Sequence, residues 1–166
     1  MQRMKNKTIA TWLSFAGGPL GLHRFYLYGK ADRIGWLLPI PTLLGVYGLE
    51  RAQRYGLDDP WIWLLIPLLG INIAGCALNA LVYGLISAEK WNERFNPSAA
   101  ADAPAGQSNW ATIAALVLSL FIGTSTLMAS LAFGFQRYFE YEAEAAQKIS
   151  QPQPKPTVQA TWPVNV

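Results

Sequence analysis

Asn72 and Asn79 are the polar side chains best placed to do chemistry, because both lie inside an apolar run without charged residues. They are seven residues apart and share one helix face, which Tyr83 continues, with Gly75 and Cys76 between them. Polar residues inside a membrane often mark a functional site. Amides also join neighbouring helices, and small residues let helices approach closely. The face therefore predicts either helix packing or the lining of a pore.

Residue types needed for catalysis and metal binding are scarce. His23 is the only histidine and Cys76 the only cysteine among 166 residues. These counts exclude an internal disulfide, a cysteine-based zinc cluster and a histidine-rich metal site, and we predict that Cys76 is inert packing. Without an acid/base or nucleophile–base set, we predict no enzyme, no catalytic residue, no cofactor and no metal. The absence of charge from every apolar run also disfavours a pump.

Two long stretches without a charged residue surround these polar groups. Residues 61–86 and 110–135 are each uncharged over 26 positions, whereas a bilayer core needs about 20 apolar helical residues. Only 14% of the chain is charged, compared with about 25% in soluble domains. Trp61, Trp63 and Trp110 stand at run ends, where aromatic rings meet lipid headgroups. We predict two membrane-spanning helices.

The first half has two shorter apolar runs that contain helix-breaking residues. Residues 8–22 include a Gly-Gly-Pro break, and residues 34–49 include Pro39 and Pro41. Both runs are short for a straight crossing. We predict a kinked helical hairpin over residues 8–55, whose first arm either crosses the bilayer or re-enters it. The predicted fold class is all-α, an integral membrane helical bundle of three or four crossings with a Gly/Pro-broken N-terminal hairpin.

Composition divides the chain into five segments. An Ala-, Ser- and Pro-rich stretch is typical of a linker, and four prolines near the end indicate a disordered tail, with a proline-binding partner as the alternative. The predicted segments are a membrane hairpin (1–55), a third hydrophobic helix with an interfacial segment (56–95), a linker (96–109), a last membrane helix with an extramembrane extension (110–149) and a Pro-rich tail (150–166).

Basic residues predict the orientation. With four crossings or a re-entrant first arm, a cytoplasmic N-terminus places eight Lys and Arg residues inside and five outside. The two arrangements place the C-terminal tail on different sides of the membrane.

The net charge of +3 is spread along the chain, which excludes a nucleic-acid partner. A cleaved signal peptide is the lesser alternative for the basic N-terminus, since no small-x-small cleavage site follows.

A motif of aromatic and polar residues comes directly after the glycine cluster. Residues 15–30 read FAGGPLGLHRFYLYGK, with His23-Arg24-Phe25-Tyr26 at the centre and Gly29-Lys30 at the end. This stretch resembles the TM2 domain family, and the resemblance covers roughly residues 5–50. Residues 70–97 also resemble the segment C-terminal to this domain in some proteobacterial proteins. Because eukaryotic relatives tend to carry an acidic residue where His23 stands, the resemblance implies a bacterial membrane hairpin; it implies no activity.

The motif also has a physical interpretation. Glycines permit tight turns and a proline fixes one of them, so we predict a turn at Gly17, Gly18, Pro19 and Gly21. Arg24 can pair with a lipid phosphate or with Asp32, and the aromatic rings can anchor at the interface. The motif either contacts lipid or a partner, or only holds the hairpin at the interface. Its predicted residues are His23, Arg24, Phe25, Tyr26, Lys30 and Asp32.

Small residues recur at helical spacing in the last apolar run. Spacings of four between small residues indicate helix contacts, either within one chain or between copies. Together with the asparagine face, the predicted packing or pore-lining residues are Asn72, Gly75, Cys76, Asn79, Ser119, Gly123, Ser130 and Gly134.

These features favour a non-enzymatic, multi-pass protein of the bacterial inner membrane that acts as a scaffold or assembly subunit. The expected partners are membrane lipids and either a second copy or another membrane protein. One alternative is an oligomeric channel lined by Asn72 and Asn79. Another is an immunity protein that protects against a membrane-acting toxin.

Overall fold

The computed structural model describes residues 4–57 and 59–150, and every regular element in these ranges is helical. The predicted all-helical fold is thus confirmed for these residues, whereas the predicted tail after Ser150 lies outside them. The helices are α1 (Lys7–Gly17), α2 (Leu22–Tyr28), α3 (Arg33–Leu37), α4 (Pro39–Tyr55), α5 (Ile62–Leu85), α6 (Ala88–Phe95) and α7 (Trp110–Ser150), with 3₁₀ turns at Gly18–Leu20 and Pro104–Gly106.

α5 and α7 form the antiparallel centre of the bundle. Gly84, near the end of α5, faces Leu116, while Gly70, near its beginning, faces Ser130. Between them, a Cβ added to Gly123 would lie 2.7 Å from the Cβ of Ala77, so glycine lets the two helices approach closely at this point. Gly123 and Ser130 of the last apolar run therefore pack against α5 of the same chain.

Two helical stretches, Ile62–Leu85 and Pro104–Ser150, are long and apolar enough to cross a membrane. α7 has 41 residues, which corresponds to about 61 Å at 1.5 Å per residue. The indole nitrogen of Trp63 donates to the carbonyl of Gly134, 3.3 Å away, close to the beginning of α5. The last 16 residues of α7 consequently extend past the beginning of α5.

α1 and α2 form a short hairpin beside α5. Lys7 Nζ donates to the carbonyl of Ile86 at 2.8 Å, and Ser14 Oγ donates to the carbonyl of Cys76 at 3.0 Å. The chain then reverses, and α2 returns until the Tyr26 hydroxyl accepts from the Asn6 amide at 2.8 Å. Residues 8–22 thus do not form one arm that runs from one end of the bundle to the other: the break is the tip of a hairpin halfway along α5.

α3 and α4 are two parts of one helical segment that runs along the bundle, antiparallel to α5. They meet at Leu38, directly before Pro39, whose ring and missing N–H prevent a regular helix there. α4 then packs closely on α5, since a Cβ on Gly48 would lie 2.5 Å from the Cβ of Leu65. Arg51 pairs with Asp59 in the connection to α5.

α6 and residues 96–109 cover the end of the bundle where the chain begins. Asn92 Nδ2 donates to the carbonyls of Ala101 and Ala103, at 2.9 and 3.0 Å, so the segment predicted as a linker is packed against α6. Trp91 is fully buried and donates from Nε1 to the carbonyl of Lys5 at 2.9 Å. We call residues 4–7, 24–33 and 86–109 the capped end, and residues 50–61 and 135–150 the opposite end.

Candidate functional site

Two charged residues of the interfacial motif, Arg24 and Asp32, pair with each other. Arg24 donates from Nε and Nη2 to the carboxylate of Asp32, which also accepts from the Gly35 amide at 3.0 Å. The hydrogen bonds from Arg24 hold the pKa of the Asp32 carboxyl below its usual range. The guanidinium also lies 5.0 Å from the centre of the Tyr28 ring. Arg24 therefore takes the intramolecular partner, and its charge is neutralised locally.

The remaining motif residues have separate environments. Phe25 packs on Trp36 with ring centres 5.2 Å apart, while the Tyr26 hydroxyl is occupied by Asn6. Lys30 is exposed, and its carbonyl accepts from the Trp36 indole. The motif therefore connects α2 to α3 through these contacts, and Lys30 is exposed.

His23 is buried without a hydrogen bond. Its side chain is 1% exposed, and neither ring nitrogen has a partner among the described residues. The nearest ring is that of Tyr83, with centres 6.1 Å apart. A neutral imidazole always carries one N–H, so this site leaves a buried donor unsatisfied.

Replacing His23 with Leu is expected to leave the protein as stable as the parent or more stable. A buried polar group without a partner costs about 1–3 kcal/mol, which an apolar side chain of similar size avoids. The measurement is the thermal unfolding midpoint in detergent micelles at neutral pH. A marked drop in the midpoint would mean that the imidazole has a partner in the folded protein.

The two asparagines of α5 differ in their surroundings. Asn72 Nδ2 donates to Thr42 Oγ1 at 2.8 Å, and Thr42 Oγ1 donates to the carbonyl of Pro19 at 2.7 Å. This chain joins α5, α4 and the hairpin tip, and it satisfies a backbone carbonyl beside a proline-containing turn. Asn72 thus belongs to the internal packing. Thr42 takes part in this hydrogen-bonded chain, although its sequence context does not indicate such a role.

Asn79 lies on the exposed side of α5 and makes no hydrogen bond to any described residue. Gly75, one turn earlier, is also open, because a Cβ there would meet no atom within 4 Å. Grooves of about 300 and 370 Å³ flank this position. Ile71 and Gly75 line both grooves. The apolar surface of α5 therefore has a shallow depression here, beside the side-chain amide of Asn79. We call Ile71, Gly75, Leu78, Asn79 and Val82 the α5 face.

The small residues of α7 are directed mostly into the chain's own core. Ser119, Gly123 and Ser130 are buried against α5, and Ser130 Oγ donates to the carbonyl of Thr126. Ser119 Oγ is buried without a partner among the described residues. Gly134 is open, although its carbonyl accepts from Trp63. Cys76 is buried beside the hairpin tip, where a Cβ on Gly18 would lie 2.5 Å from the cysteine Cβ.

The N-terminal lysines have a structural role that the sequence does not indicate. Lys5 Nζ donates to the carbonyl of Leu27 and Lys7 Nζ to that of Ile86, so each cation lies at the C-terminal end of a helix, where it is stabilising. Burial lowers the pKa of Lys7, and Glu89 partly offsets this effect. Their charges were interpreted only as orientation signals, because their partners lie far away in sequence.

No group of three or more His, Cys, Asp or Glu side chains within residues 4–57 and 59–150 could hold a metal ion. Comparison with family models, curated proteins and solved structures finds no match to this chain.

Proposed function

We propose that this chain is a non-enzymatic, multi-pass protein of the bacterial inner membrane that assembles with a second copy or a membrane partner through helix packing. The exposure of apolar side chains on the two long helices supports their location in a membrane. Leu64 and Leu85 of α5 are 66% and 72% exposed, and Phe121 of α7 is 70% exposed. The core helix of a soluble protein would bury such side chains, whereas lipid accommodates them.

The proposed arrangement has three crossings. α3 with α4, α5 and α7 each run between the two ends, and the α1–α2 hairpin enters from the capped end to about half depth. Seven of the described Lys and Arg residues lie at the capped end and four at the opposite end. The positive-inside rule then favours a cytoplasmic capped end and N-terminus, with the end of α7 on the other side. The resemblance to the TM2 domain family implies a membrane hairpin over roughly residues 5–50, which include the α1–α2 hairpin, α3 and most of α4.

The main observation in favour of assembly is that the side-chain amide of Asn79 has no hydrogen-bond partner among the described residues. Asn79 lies six residues before the end of α5, about 9 Å along the axis. Since α5 has 24 residues and spans about 36 Å, this position falls inside a hydrocarbon core of about 30 Å. A polar side chain at this depth normally faces other protein or water. Gly75 leaves room beside it for another helix.

Replacing Asn79 with Leu is expected to weaken assembly by about 3–30-fold. Interhelical hydrogen bonds in membranes contribute about 0.6–2 kcal/mol, which corresponds to this range. Gly75→Leu should also weaken it, because the side chain fills the space that another helix would need. The measurement is the mass of the complex in native-lipid particles, with identification of every copurifying protein. Wild-type protein should carry a second copy or a stoichiometric partner.

Gly134→Leu is the matched control, since Gly134 is also an open helix glycine but lies on α7, in a groove that shares only Ile71 with the α5 face. It should leave the complex intact. A wild-type chain that is always monomeric and alone in native lipid would refute the assembly role. If a homo-oligomer is found, the channel alternative depends on Asn79, because Asn72 is already hydrogen-bonded inside the chain.

A further inference from the structure

We propose that a pocket at the capped end binds the phosphate headgroup of an anionic phospholipid. The pocket has a volume of about 570 Å³ and lies between the N-terminal residues, the end of α2 and the end of α6. Its lining includes the side chains of Lys5, Tyr28 and Arg94. This site is distinct from the α5 face, and it requires only that the bundle lies in a bilayer.

Among the described residues, two cations and no carboxylate contribute to the pocket lining. Arg94 is exposed, its guanidinium lies 5.4 Å from the centre of the Phe95 ring, and its Nη2 donates to the hydroxyl of Tyr28 at the long distance of 3.4 Å. Lys5 donates one Nζ hydrogen to the carbonyl of Leu27, which leaves two for a ligand. The Tyr28 hydroxyl is a third donor. A planar guanidinium beside an ammonium suits a phosphate with several acceptor oxygens.

The side chain of Asn96, another polar residue of the lining, is already hydrogen-bonded. Asn96 Oδ1 accepts from the Lys5 amide at 2.7 Å, and its Nδ2 donates to the Lys5 carbonyl at 3.1 Å. Asn96 thereby fixes the backbone that carries the Lys5 ammonium. The pocket is thus held open by internal hydrogen bonds, and its free donors belong to Arg94, Lys5, Tyr28 and Ser98.

The depth of the pocket matches the headgroup region. Lys7 Nζ reaches the carbonyl of Ile86, one residue after the end of α5, so Lys5 lies beyond the apolar part of that helix. Basic pockets at the cytoplasmic ends of membrane helices bind anionic headgroups. The apolar lining from Met4, Leu27 and Phe95 offers a surface for glycerol and the first methylenes of a lipid. A free phosphate ion would leave that surface uncovered, which favours the lipid.

Arg94→Gln is expected to reduce binding of phosphatidylglycerol by about fivefold, the effect of removing one cation near a membrane surface. The protein is purified in detergent and titrated with phosphatidylglycerol or phosphatidylcholine, and bound lipid is counted by native mass spectrometry. Wild-type protein should bind phosphatidylglycerol more tightly than phosphatidylcholine. Lys90→Gln is the matched control, because Lys90 is an exposed cation one turn earlier on α6 that does not line the pocket.

Three results would overturn the proposal. The first is equal loss in the Arg94 and Lys90 variants, which would indicate diffuse surface charge. The second is equal binding of phosphatidylglycerol and phosphatidylcholine by wild-type protein. The third is displacement of the lipid by millimolar inorganic phosphate, which would identify a site for the free ion. Since neither variant alters the α5 face, the mass of the complex should be the same in both, so failure of this proposal is distinguishable from failure of the assembly proposal.

Discussion

Replacing Gly21 with Ala is expected to prevent accumulation of correctly folded protein. Gly21 has φ of 74°, and a residue with a side chain in this region loses about 1–2 kcal/mol. In addition, a Cβ there would lie 3.0 Å from the carbonyl carbon of Gly35 and closer still to its oxygen. Because that neighbour is backbone, relief requires α2 to move away from α3. The measurement is the yield of monodisperse protein, followed by its unfolding midpoint.

Two further variants separate backbone strain from steric overlap. Gly21→Asn tolerates the left-handed conformation but keeps the Cβ, so it should be nearly as damaging as Gly21→Ala. Gly29 has φ of 86° and open space around it, and Gly29→Ala should therefore cost only the backbone term of about 1–3 kcal/mol. A fully folded Gly21→Asn protein would show that contact with Gly35 does not limit the hairpin.

The long apolar helices could be predicted from sequence because uncharged length is a local property. The runs 61–86 and 110–135 contain α5 and the first 26 residues of α7. The hairpin could not be predicted in the same way. A Gly-Gly-Pro break permits either a kink or a reversal, and the reversal depends on how closely Gly18 approaches Cys76, 58 residues later. That contact has no local sequence signal.

At the candidate sites too, the sequence shows which residue types are present but does not show which residues they contact. The sequence allows Arg24 to pair with phosphate or with Asp32. The packing of α2 against α3 brings Asp32 next to Arg24, and the two side chains form an ion pair. Asn72 and Asn79 share a helical face by spacing, yet Thr42 reaches only the first of them. The pocket beside Lys5 was missed because its walls are about 90 residues apart in the chain. Sequence therefore indicates which groups need partners, and tertiary packing assigns the partners.

Replacing Trp91 with Ala is expected to destabilise the capped end by about 3–5 kcal/mol, the usual loss for a buried aromatic residue. The ring is fully buried and packs on Phe95 and Tyr83, with ring centres 4.5 and 6.2 Å away. Its indole N–H also bonds to the carbonyl of Lys5. The measurement is denaturant unfolding in micelles. Trp110→Ala is the control, since Trp110 is 85% exposed and should change the stability little.

Trp91→Phe divides this loss into packing and hydrogen bonding. Phe keeps most of the ring contacts but cannot donate to Lys5, and the Lys5 carbonyl still accepts from Asn96 Nδ2, so the expected destabilisation is about 0.5–1.5 kcal/mol, the net contribution of one hydrogen bond. Because Trp91 joins Lys5 to the helix that carries Arg94, the folded Phe variant should also bind phosphatidylglycerol more weakly. Unchanged lipid binding with reduced stability would show that the pocket keeps its geometry without this bond. A Trp91→Ala protein as stable as wild type would contradict the burial of Trp91 itself.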